Sequence, residues 1–204
     1  MRKTVVFGVC LVVLAASVSA RQGGAAQVTA QGAGAPQGRG TPAPLPTLVV
    51  EVQNIFNPIK TNITKAVDQF PEDKLTWAPT DKVRSWARLI GHLSDDNNGA
   101  CYLLAGETTR PARLETEDTP NSAANKMSKA DLQKALAESF ARCDKAFAAV
   151  TPENMAERLG QSSRSKIGGL IYNTQHINEH YGNIVTYMRL QNLVPPSSAG
   201  RGGL

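Results

Sequence analysis

The chain has few aromatic residues and few charged residues for its length. Of its 204 residues, 5% are aromatic and 19% are charged. Its core must therefore be built mainly from Leu, Ile, Val and Ala, and the low charge excludes a disordered polyelectrolyte. After residue 20 there is no apolar run long enough to span a bilayer. A length near 200 residues predicts one folded domain with appendages.

Acidic residues are absent from both ends of the chain, and this accounts for its formal charge of +5. Residues 1–46 and 194–204 together carry five Lys and Arg residues and no Asp or Glu, so residues 47–193 keep 17 basic and 17 acidic residues. A nucleic-acid-binding surface needs clustered Lys and Arg. The neutral central part has no such cluster, and we expect no nucleic-acid partner.

The N-terminal segment has the pattern of a secretory signal peptide over residues 1–20. Arg2 and Lys3 precede an apolar run over residues 5–16, and small residues follow at 18–20. Residues 21–46 are rich in Gly, Gln, Ala and Pro and are predicted to be a flexible linker, and residues 194–204 a flexible tail. We therefore expect an exported protein, periplasmic or secreted, with no membrane association after cleavage.

Apolar residues recur at helical spacing in four segments, which are residues 48–70, 84–105, 128–150 and 165–190. Pro58 is expected to kink or interrupt the first segment. Residues 106–127 form a polar connection that is longer than most. The pattern predicts an all-α fold, a four-helix bundle over residues 47–193 with one long crossover between the second and third helices.

The three histidines of the chain fall on two of these helices, His92 on the second and His176 and His180 on the fourth. Two histidines four residues apart share one helical face and can bind one metal ion. All three lie beside the apolar stripe of their helix, where a cleft between helices would be lined. Asp96, one turn after His92, is a candidate fourth ligand, an orienter of an imidazole or a base acting on metal-bound water. The alternative is that these are ordinary helix histidines.

Two cysteines, Cys101 and Cys143, remain once the signal peptide is removed. An oxidising compartment would permit a disulfide between the second and third helices. Because Cys143 belongs to the apolar stripe of its helix, we expect buried thiols rather than a disulfide.

Two stretches of the sequence resemble the DinB-like (YfiT-like) superfamily, which is associated with metal-dependent enzymes. The first comprises residues 77–80 (WAPT) and 83–93 (VRSWARLIGHL), and the second comprises residues 176–189 (HINEHYGNIVTYMR) with LVPP at 193–196. The resemblance covers residues 48–197. It implies a four-helix bundle in which His92, His176 and His180 hold one divalent metal ion, zinc or nickel.

The resemblance also implies activity on a small molecule that the sequence does not identify. The better-understood relatives are metal-dependent thiol transferases or isomerases, and others look like hydrolases. Because their thiol cofactors are cytosolic, an exported chain fits a metal-dependent hydrolase or another group transferase better. The alternative is a non-catalytic metal-binding or structural module, while haem ligation fits the low aromatic content poorly. Relatives often pair, so a homodimer is the protein partner to consider.

Overall fold

The computed structural model describes residues 45–115 and 122–200. The described residues form four long helices and contain no β-strand apart from a single bridge. The helices are α1 (Leu48–Gln69), α2 (Trp86–Cys101), α3 (Lys129–Ala149) and α4 (Lys166–Leu190). Short 3-10 turns lie at Glu72–Lys74, Ala123–Lys126 and Pro196–Ser198. The all-α prediction is confirmed, while the predicted signal peptide and nearly all of the linker lie outside the described residues.

Each long helix begins after a Ser or Thr whose hydroxyl accepts a hydrogen bond from a backbone N–H of the first turn. At Ser85 this cap places the start of α2 two residues later than the apolar periodicity indicates. The predicted end at residue 105 is also too late, because the chain turns after Cys101 towards Gly106, which has a φ of +82°. In α1, the helix continues through Pro58, so the predicted break is absent. Pro58 is exposed, as is the preceding turn at Asn54, so water can hydrate the carbonyl that loses its partner.

Helices α1 and α2 lie diagonally across the bundle, since each packs mainly against α3 and α4. Helix α2 runs parallel to α3, as shown by contacts of Asn97 with Ser139 and of Cys101 with Cys143. Hydrogen bonds between α2 and α4 show that these two helices are antiparallel. Because α2 and α3 are parallel neighbours, the chain must return along the length of the bundle between them, which is why the crossover is long.

The crossover packs on α2 and covers the side of the helix that faces away from the bundle. The Asp95 carboxylate accepts hydrogen bonds from the backbone N–H groups of Leu114 and Glu115. A Cβ at Gly91 would lie 2.7 Å from Cβ of Ala124, so only glycine permits this close approach. Helix α2 is consequently buried around most of its circumference.

The expectation of free thiols is wrong, because Cys101 and Cys143 form a disulfide with an S–S distance of 2.07 Å. The two Cα atoms are 5.0 Å apart, within the range that a disulfide needs. The parallel arrangement of α2 and α3 brings the two cysteines to the same level of the bundle. The helical periodicity of the sequence could not indicate this level, because it does not relate the register of one helix to another.

Part of the C-terminal segment lies against the bundle. The backbone N–H of Ser197 donates to the hydroxyl of Tyr181 at 3.1 Å, and Pro195 is buried. These contacts hold residues 195–198 against the bundle, within the segment that the sequence predicts to be a flexible tail. Residues 201–204 lie outside the described part. Within the described ranges, none of the helices combines the length and hydrophobicity needed to cross a membrane.

Candidate metal centre

Helices α2 and α4 bring the four predicted site residues together. His92 and Asp96 occupy successive turns of α2, and His176 and His180 occupy successive turns of α4. One nitrogen or oxygen atom from each side chain lies within 4.8 Å of the corresponding atoms of the other three. The four residues form a cluster that could hold a metal ion.

The imidazole nitrogens are spaced as the ligands of a common ion would be. Nε2 of His180 lies 3.0 Å from Nε2 of His92 and 2.9 Å from Nε2 of His176. Oδ2 of Asp96 lies 3.0 Å from Nε2 of His92 and 3.5 Å from Nδ1 of His176. With metal–nitrogen distances of about 2.0–2.1 Å, neighbouring ligand atoms are roughly 3 Å apart. The residues therefore fit a divalent metal ion.

Hydrogen bonding within the cluster does not account for this convergence. A neutral imidazole nitrogen either donates one proton or accepts, so Nε2 of His180 cannot donate to both of the other rings. Among the described residues, Nδ1 of His92 and Oδ2 of Asp96 are buried atoms without a hydrogen-bond partner. Native structures rarely leave such atoms unsatisfied. A cation between the four side chains would satisfy the Asp96 oxygen and all three Nε2 lone pairs.

The protonation states of the cluster suit metal binding. Burial, followed by the neighbouring His92 and His176, lowers the pKa of His180 to about 4, so this ring is neutral at pH 7. Burial also opposes ionisation of Asp96, but its close contact with His92 and its electrostatic interaction with the three neighbouring imidazoles lower its pKa. The site at neutral pH therefore contains an ionised carboxylate and a neutral His180 ring, which are forms that bind metal ions.

Asn183 contacts the remaining ring nitrogen of His180, and the sequence gives no signal for this role. Its side-chain amide lies 3.3 Å from Nδ1 of His180. A histidine that binds a metal through Nε2 carries its proton on Nδ1 and usually donates it to an acceptor. The amide oxygen of Asn183 can be that acceptor, since the amide can present either its oxygen or its nitrogen.

A cavity of about 440 Å³ opens beside the cluster, and Asp96 and His176 form part of its wall. Residues from α2, α4, the crossover and the segment between α3 and α4 complete the wall, among them Arg110, Arg164 and Asn173. Cavities of this size bind small molecules. The two arginines come from irregular segments without periodicity, which is why the sequence does not identify them as lining a cavity.

A model of the DinB superfamily matches residues 60–184, more than half of the chain. The chain belongs to the DinB superfamily. The match includes all four residues of the cluster, so the proposed ligands lie inside the DinB domain. The resemblance expected from the sequence is thereby confirmed.

The fold of this chain is also similar to that of a solved structure, described as the conserved protein of locus from Enterococcus faecalis. The two structures superpose with a TM-score of 0.59 at 14% sequence identity, over 72% of this chain and 98% of that one. At this identity the likeness shows a common fold alone. No curated protein matches the chain significantly.

Proposed function

We propose that this DinB protein binds one divalent metal ion, zinc or nickel, through His92, His176 and His180, with Asp96 beside it. The observation that carries the proposal is the convergence of three Nε2 atoms and one carboxylate oxygen at separations near 3 Å. A divalent cation at this position would supply Lewis-acid activation of a water molecule or of a substrate oxygen. The proposed activity is hydrolysis or group transfer on a small molecule bound in the adjacent cavity.

The histidines would bind the ion, and Asp96 would act at the boundary between the ion and the substrate. The three histidines are held by two packed helices, so their nitrogens keep their positions without the ion. Asp96 lies at the boundary between the cluster and the cavity. From there its carboxylate can bind the ion, orient the His92 ring or take a proton from a nucleophile.

The test is the metal content and the hydrolytic activity of untagged protein purified without added metal. We expect about one equivalent of zinc or nickel in the unaltered protein and almost none in His176→Ala. Gln175→Ala is the matched control, since Gln175 is the exposed neighbouring residue on α4 and its loss should leave the metal content unchanged. Circular dichroism verifies that both variants remain helical. Absence of metal from the unaltered protein, or its retention in His176→Ala, contradicts the proposal.

A non-catalytic metal-binding module is the second candidate, and one observation favours it. Four donor side chains are enough to close the coordination sphere of a zinc ion and leave no position for a substrate. Turnover of 4-nitrophenyl acetate by the same preparations separates the candidates. The enzyme requires turnover that disappears with the metal in His176→Ala, whereas the non-catalytic module requires equal background rates in both.

We also propose that the protein is exported to the periplasm or secreted. The signal-peptide pattern over residues 1–20 supports this, as does the disulfide between Cys101 and Cys143, because structural disulfides persist in oxidising compartments. Recovery of the protein from the periplasmic or extracellular fraction, with an N-terminus after Ala20, is the expected result.

A further inference from the structure

The cavity beside the metal cluster has an uneven charge distribution. Arg110 lines it from the crossover, and Arg164 lines it from the segment between α3 and α4. Asp96 is the only carboxylate among the residues that line it, and Asp96 faces the histidines. Within the described part of the chain, neither arginine forms an ion pair with an acidic side chain. Two guanidinium groups without carboxylate partners among the described residues therefore share one concave surface.

Both guanidinium groups are held in place by uncharged parts of the protein. The guanidinium of Arg164 stacks on the ring of Tyr172, with Cζ 4.0 Å from the ring centroid. The guanidinium of Arg110 donates to the backbone carbonyl of Asp95 at 2.9 Å. It also lies over Gly99, where a Cβ would be 2.6 Å from Nη2. These contacts orient the arginines and leave further N–H groups of each for a ligand.

A buried polar atom in the same wall also lacks a partner. Asn173 is only 2% exposed, and its Nδ2 donates to Oδ1 of Asn97 at 3.0 Å. Its own Oδ1 is a buried acceptor that finds no donor among the described residues. The rest of the wall includes the apolar side chains of Leu103 and Leu159. The cavity thus combines cationic and apolar surfaces beside a buried polar residue, a combination typical of a small-molecule site.

We propose that this cavity binds a small molecule that carries a carboxylate or phosphate group, with Arg110 and Arg164 holding the oxyanion. Guanidinium groups suit this task, because each presents several N–H donors to a planar or tetrahedral oxyanion. The apolar body of the ligand lies against Leu103 and Leu159, and the other end of the ligand reaches Asp96 and His176. The inference rests on the proposed function for the reacting end, but the anchoring of the anion depends on the arginines alone.

The experiment compares three probes of similar shape, which are benzoate, phenyl phosphate and the neutral benzamide. Each is titrated into the metal-containing protein, and the dissociation constant is obtained from NMR shifts of the backbone amides of Leu103 and Tyr172. We expect at least one of the two anions to bind about tenfold or more tightly than benzamide, and the stronger one identifies the oxyanion. Equal affinities for all three probes overturn the proposal.

The double variant Arg110→Gln, Arg164→Gln tests the assignment of the anchors, and Arg189→Gln is its control. Arg189 lies at the far end of α4, outside the cavity wall, so its loss changes the net charge without touching the site. The double variant should lose the preference for the anion, whereas Arg189→Gln should keep it. Preference retained in the double variant overturns the proposal. The single variant Arg164→Gln, whose side chain is exposed, provides the same test if the double variant is unstable.

A metal-free variant separates failure of this proposal from failure of the proposed function. An anion that binds directly to the metal would lose affinity in His180→Ala and keep it in the double arginine variant. That result overturns the arginine anchor and leaves metal binding intact. Conversely, if the unaltered protein contains no metal and still binds the anion through the arginines, the anchor is supported and the proposed metal centre is contradicted.

Discussion

Asp95 and Asp96 are consecutive residues of α2, but they face two regions of the molecule with opposite character. Asp95 points to the crossover and is 1% exposed, and its oxygens accept hydrogen bonds of 2.7–3.0 Å from the backbone N–H groups of Leu114 and Glu115. Asp96 points to α4, where it meets three imidazoles and has a buried oxygen without a hydrogen-bond partner. One carboxylate is satisfied by the protein itself, and the other is not.

The residues next to Asp95 are also satisfied by hydrogen bonds within the protein, and Glu115 is the centre of this network. Glu115 is fully buried, and its Oε1 accepts two N–H groups of Arg88 at 2.9 and 2.6 Å. Its Oε2 accepts the hydroxyl of Ser122 at 2.5 Å. The buried carboxylates of Asp95 and Glu115, which hold the crossover on α2, therefore have hydrogen-bond donors from the protein itself. The buried atoms without hydrogen-bond partners in Asp96 and His92, on the face of α2 that meets α4, are the better indication of an external ligand.

Glu115→Ala is the variant for which we expect the largest effect, and that effect is a loss of stability. The substitution removes the carboxylate that pairs with the largely buried guanidinium of Arg88 and one of the two acceptors of the Ser122 hydroxyl. Removing one member of a buried ion pair destabilises a protein by about 3–5 kcal/mol. Urea unfolding with the disulfide intact measures the change.

Glu138→Ala is the control for Glu115→Ala, because Glu138 is an exposed residue of α3. We expect a change below about 0.5 kcal/mol for this variant. The metal content of Glu115→Ala should stay at one equivalent, because the side chain of Glu115 contacts Arg84, Arg88 and Ser122 rather than any of the four cluster residues. A loss of metal at unchanged stability would show that the two sides of α2 do not have separate roles.

A smaller loss of stability is expected for Asp95→Asn. The amide keeps one oxygen for the backbone N–H groups of the crossover but replaces the other with a donor that opposes them. Loss of charge-assisted hydrogen bonds at a buried site amounts to about 1–3 kcal/mol. Burial raises the pKa of Asp95, against the effect of the backbone hydrogen bonds and of Arg113. Removing the charge therefore recovers part of the desolvation penalty and keeps the loss below that of Glu115→Ala.

Urea unfolding measures the effect of Asp95→Asn, and affinity for zinc should change by no more than a few-fold. The matched comparison is Asp96→Asn, the same chemical change one residue further along α2. Equal destabilisation of the two variants would contradict the division between a structural and a ligand-binding carboxylate.

The sequence predicted those features that depend on the periodicity of a single helix. Apolar spacing located all four helices, and the spacing of His176 and His180 indicated a shared face. The contact of His92 with this pair depends on how the helices pack, and it was predicted from the family resemblance rather than from periodicity. The disulfide between Cys101 and Cys143 depends on the relative register of two helices, which a single sequence does not contain. The same holds for Asp95 and Asp96, since their positions 100° apart on α2 do not reveal which of them the crossover covers.

The smallest effect on stability, with a large effect on binding, is expected for Asp96→Asn. Asp96→Asn removes a charge that lies 3.0 Å from Nε2 of His92 but, among the described residues, receives no backbone N–H group. We therefore expect the free energy of unfolding of the metal-free protein to fall by only about 0.5–1 kcal/mol. The affinity for zinc, measured by competition with a chromophoric chelator, should fall by about 10–100-fold, since groups that bind or orient metal ligands contribute this much. Unchanged affinity with reduced turnover would assign Asp96 the role of a base. Unchanged affinity with unchanged turnover would remove Asp96 from the site and leave the three histidines as its only members.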